Sequence, residues 1–210
     1  MKTIFLSITI LLISATAFAI TKFESQMVES IPTIYQASIE QLDALTNKFQ
    51  RIGDAEKDKW EPYYYASLSQ VFKFFQTRDK SQKDLVIDRS LAFLETASNL
   101  DPANSEIEAL RGFALMMKMT VDPANRGRTM SPAVFAALGK AMGLNPGNPR
   151  AVLFIGQMKM GMAEHFGEST DEACQLIHKA NDLFSGQEVI NPIAPSWGSH
   201  GMDHWLGKCN

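Results

Sequence analysis

The chain predicts an all-α protein, a short array of helical hairpins of about seven helices followed by a C-terminal tail. Three features of the 210 residues carry that expectation. Apolar residues recur three and four apart along most of the chain, the period of one face of a helix. No stretch alternates β-branched and polar residues with period two, so no sheet is expected. Proline, glycine and asparagine punctuate the helical segments at short intervals.

The first 19 residues stand apart. Lys2 is followed by an apolar run from Ile4 to Ile13 and by the small-x-small site Ala17-Phe18-Ala19. This is the pattern of a secretory signal peptide, cleaved after Ala19. The run is shorter than the ~20 residues that span a bilayer, and no later segment is long and apolar enough to do so. The expected location is the periplasm or the medium. Loss of Lys2 takes the formal net charge from −3 to −4. An acidic exported protein is a poor partner for nucleic acid. Two cysteines, Cys174 and Cys209, are too few to build a disulfide scaffold. They could pair and tether the tail, or Cys174 could sit on an apolar helix face while Cys209 frays.

Residues 20–56 predict an N-terminal helix, broken or kinked at Pro32 and ended by Gly53-Asp54. Trp60, Tyr63, Tyr64, Leu68, Val71, Phe72 and Phe75 give a second helix over 57–76. A third runs over 82–99 and closes at Leu100-Asp101-Pro102. Asn104 to Thr120 is the next, followed by a linker from Val121 to Met130. Ser131-Pro132 and Asn148-Pro149 each read as a cap with proline in the first turn, opening helices to Gly143 and to about Phe166. Thr170 to Phe184 is the last clear helix. The tail, 187–210, contains Trp197 and Trp205, which are costly to leave in water, and is expected to fold back as a cap.

Two segments repeat. Ala97-Ser98-Asn99-Leu100-Asp101-Pro102 matches Ala141-Met142-Gly143-Leu144-Asn145-Pro146, and a glycine follows each proline by ten residues, at Gly112 and Gly156. In this respect the region 57–186 resembles the tetratricopeptide-repeat family, with degenerate repeats 44 residues apart between Pro102 and Pro146 against the family's ~34. The resemblance implies a right-handed superhelix. Gly112 and Gly156 would sit at close helix crossings, with Ala97 and Ala141 serving similar contacts and Pro102 and Pro146 ending units. It also implies a concave groove. The family's groove positions fall on Tyr65, Phe113, Met116, Arg150, Gln157 and Met160.

No P-loop, nucleotide-binding glycine fingerprint, G-x-S-x-G or C-x-x-C motif is present. His200 and His204 lie one helical turn apart beside Asp203, a weak metal candidate that lacks a third converging ligand. The methionines around Met116 and Met160 suit either irregular core packing or an adaptable surface. The expectation is a non-catalytic interaction scaffold of the cell envelope, holding a peptide or helix in its groove, without a cofactor and with self-association as one way to cover exposed ends. The alternative is an envelope metal-binding protein or enzyme that uses the tail histidines.

Overall fold

The computed structural model describes residues 21–188 and 191–209. The expected leader, residues 1–19, lies outside them. Among the described residues the protein is an elongated bundle of helices with no strand.

Helix α1 (Lys22–Ser30) starts at a capping box, in which the Thr21 hydroxyl accepts from Glu24 N and the Glu24 carboxylate accepts from Thr21 N. The break expected at Pro32 is a 3-10 segment, Ile31–Gln36. Ser38 and Gln41 form a second capping box for α2 (Ile39–Glu56). This helix runs past Gly53 and ends at Lys57, which has φ 59°. Helix α3 (Glu61–Gln76) is sheathed by its neighbours, and Tyr63, Tyr64 and Tyr65 are all buried. Asp79 caps α4 (Lys80–Leu100), and Asn104 caps α5 (Ser105–Thr120).

The expected linker 121–130 is instead the first part of a helix. Asp122 caps α6 (Pro123–Leu144), and Pro123 takes the first turn. Pro132, expected to open this helix, lies inside it on the exposed side. Asn148 caps α7 (Pro149–Phe166) by accepting from Arg150 N and Ala151 N. Gly167, at φ 70°, ends it in the left-handed conformation that glycine adopts without strain. Helices α8 (Asp171–Ser185) and α9 (Met202–Gly207) complete the chain.

Sequential helices pack side by side from α2 to α8, and α5 touches both α3 and α7. These three helices therefore adjoin along one side of the molecule. Gly112 and Gly156 stand at helix crossings. A Cβ on Gly112 would lie 2.4 Å from Leu138 Cδ2 of α6, and one on Gly156 3.1 Å from Ile177 Cγ1 of α8. Ala109, Ala141 and Ala151 make a small-residue contact between α5, α6 and α7. Ala97 is buried at the end of α4, and Pro102 and Pro146 are exposed in the turns before α5 and α7.

Candidate functional site

The feature with most chemistry lies where α3, α5 and α7 meet the tail. It starts from the cap of α7. Asn148 fixes the first turn, which points Arg150 inward and leaves it 0% exposed. A buried guanidinium must be paired. Its Nη1 lies 3.1 Å from Glu106 Oε1 on α5, and its Nη2 donates to the Pro195 carbonyl at 2.8 Å. Arg150 Nε and Glu106 Oε2 are buried without a hydrogen-bond partner. Burial pushes the Glu106 carboxyl above its usual value, and the Arg150 charge opposes that rise. Asn148 Nδ2 also donates to Ser105 Oγ at 2.9 Å, which ties the two caps together.

Around this pair runs a band of aromatic rings. Phe113 of α5 stacks on Phe154 of α7, with centroids 4.2 Å apart and planes within 4°. Trp197 of the tail lies against both, at 5.8 and 5.9 Å. Arg150 sits 5.4 Å from the Trp197 ring and 5.7 Å from Phe184. Phe75 reaches Phe113 at 6.2 Å and is 57% exposed. Phe72, on the same helix as Phe75, meets Tyr35 edge-on at 5.5 Å, and the exposed His200 lies nearly parallel to Tyr35 at 6.5 Å. Partial burial raises the Tyr35 phenol above its usual value.

The tail is held by carbonyls and by an indole. Tyr65 Oη donates to the Ile193 carbonyl at 2.9 Å, and Trp197 Nε1 donates to Tyr64 Oη at 2.7 Å. Ile193 and Trp197 are buried. Gly198, at φ 108°, passes close to Phe184 and Arg150. Beyond it, a disulfide joins Cys174 of α8 to Cys209, with Cα atoms 5.4 Å apart.

Of the six groove positions, Tyr65, Phe113 and Arg150 converge under this tail. Met116 and Met160 are core residues, and Gln157 is partly buried. The groove expected to hold a foreign peptide is thus filled by the protein's own residues 193–197. Sequence reading did not single out Tyr35, Phe72, Phe154 or Glu106. The groove positions Tyr65, Phe113 and Arg150 and the cost of exposing Trp197 are the sequence signals that point to this face. His204 packs against Trp205, and the described residues contain no group of three or more side chains that could hold a metal ion. Among the described residues no helix is long and apolar enough to cross a membrane. Two shallow clefts lie elsewhere. One, of ≈390 Å³, is bordered by Lys22, Lys48 and Arg51, and one, of ≈340 Å³, by Phe135, Lys159 and Met162.

These features define an exported, all-α protein with an aromatic face covered by its own tail, located in the periplasm or outside the cell. Among solved structures it is similar to the HusA haemophore from Porphyromonas gingivalis, with 25% sequence identity, a TM-score of 0.80, and 90% of this chain and 93% of that chain covered. No protein-family model and no curated protein matches the sequence. The likeness to a haemophore corrects two expectations. The tetratricopeptide resemblance rested on short anchors that any close-packed helix pair can use, glycine at a crossing and proline after a helix. The peptide-holding scaffold fails with it.

Proposed function

We propose that this chain is a haemophore-like carrier that binds a planar tetrapyrrole, haem or its metal-free ring, on the aromatic face between α3, α5 and the tail. The reading is one of binding, with no reaction step. The observation that carries it is the likeness to the HusA haemophore over nine-tenths of the chain. The aromatic band supports it independently. Flat π surfaces stack on aromatic side chains, and Phe75, Tyr35 and His200 present the exposed end of the band. Tyr65, Phe113 and Arg150 belong to this site. Residues 1–19 serve as the cleaved leader, 20–56 as an N-terminal support, 57–186 as a short right-handed array of paired helices, and 187–210 as the capping tail.

Titration of the purified mature protein with haemin tests this. The expected result is saturable binding, seen as a shifted Soret band and quenched tryptophan fluorescence. Replacing Phe75 and Tyr35 together by alanine weakens it at least tenfold while leaving the helical circular dichroism intact. A flat titration up to tens of micromolar haemin would exclude the proposal.

A further inference from the structure

The tail sets two chemical groups on this face. Pro195 sets a carbonyl oxygen on Arg150 Nη2, and two residues on, Trp197 sets a flat ring against Phe113 and Phe154. An oxygen acceptor on a guanidinium beside an indole on an aromatic stack is the chemistry of a planar aromatic carboxylate. In a guanidinium, Nε–H and one N–H of Nη2 point the same way and form a fork that fits both oxygens of a carboxylate. Here that fork is half used. Nη2 holds the Pro195 carbonyl, Nε has no partner, and Glu106 occupies the other edge through Nη1. The Pro195 carbonyl oxygen, as placed, satisfies one of these donors, whereas the two oxygens of a carboxylate would satisfy both.

We infer that Arg150 is the specificity-determining residue of this site, that it receives a carboxylate of a planar aromatic acid on its Nε–Nη2 edge, and that the segment Pro195–Trp197 occupies this seat when no ligand is bound. Tyr65, which donates to the Ile193 carbonyl, is released by the same displacement and offers a further donor. The covering segment can lift without leaving the protein, because the chain is anchored before it by α8 and after it by the Cys174–Cys209 bond. Glu106 stays on Nη1 and keeps the buried guanidinium paired throughout. The inference rests on the tetrapyrrole reading and narrows it to the acid form of the ligand.

The test compares deuteroporphyrin IX with its dimethyl ester, both metal-free and in the same dilute detergent, on the full mature protein. The acid is expected to bind roughly tenfold or more tightly, the scale of a charge-assisted hydrogen-bonded pair. Arg150→Lys, which keeps the charge and removes the fork, is expected to cut the ratio of acid to ester affinity several-fold. Equal affinities for acid and ester in the native protein overturn the inference and leave the tetrapyrrole reading standing, whereas failure of both porphyrins to bind overturns that reading as well. A folded Arg150→Lys protein whose preference for the acid is undiminished also overturns it. Should that variant not fold, amide exchange across residues 193–199 of the native protein decides. Faster exchange with the acid bound supports displacement of the segment, and unchanged or slower exchange refutes it.

Discussion

At Gly112 helices α5 and α6 leave no room for a methyl group, since a Cβ would meet Leu138 Cδ2 at 2.4 Å and Cγ at 2.5 Å, and Leu138 is wholly buried. Overpacking of this kind costs ~1–3 kcal/mol, against the ~1 kcal/mol that alanine gains over glycine in a helix. Gly156 has more space, with neighbours at 3.1 to 3.3 Å. Urea unfolding should therefore show Gly112→Ala less stable than wild type and Gly156→Ala closer to neutral. The reverse order would mean that the α5–α6 crossing is looser than described. A second residue-scale effect is electrostatic. The Arg126 guanidinium donates to both carboxylate oxygens of Asp84 and holds that carboxyl below its ordinary value of 3.8. A depressed carboxyl contributes stability above its unfolded pKa, and the contribution is lost as pH falls through the folded one. Asp84→Asn should lower the melting temperature at pH 7, and the gap to wild type should close below about pH 4. A gap that does not narrow as the pH falls below about 4 would assign the loss to packing.

Among the elements, the caps show what local sequence can reveal. Asn148-Pro149 announces α7 because both signals act within three residues. Ser131-Pro132 carries the same letters and misleads. Asp122-Pro123 has already started α6, and an exposed proline within a helix removes one hydrogen bond without a buried clash. Local chemistry cannot rank two such signals nine residues apart; the packing of Val134, Leu138 and Ala141 against the bundle does. The tail is the element whose place depends most on a covalent link. Replacing Cys174 and Cys209 by serine should cost about 2–4 kcal/mol, as expected for opening a loop of this size. Limited proteolysis should then cut within 191–209 while the helices from α2 to α7 survive. Unchanged resistance would show that Ile193, Trp197 and Met202 hold the tail by burial alone.

For the whole molecule, the all-helical class was legible because the 3.6-residue period runs through nearly every segment. The site was legible in part. Tyr65, Phe113 and Arg150 are among the groove positions of the repeat resemblance, but the partners of Arg150, Glu106 and Pro195, lie 44 and 45 residues away in sequence and no local signal points to them. The aromatic band draws on α3, α5, α7, the 3-10 segment and the tail, and no local pattern joins them. Repeat anchors at Gly112 and Gly156 mark close helix contacts, and close contacts are shared by many helical arrangements. The likeness to a haemophore came from the arrangement of the chain in space, at an identity of 25%.

The bond between Cys174 and Cys209, 35 positions apart, also closes the chain from one to the other into a covalent ring. A single enzymatic nick inside that ring therefore opens it without shedding either fragment. In an environment rich in secreted proteases, the nicked protein would keep its mass, separating into two bands on a gel only after a thiol is added.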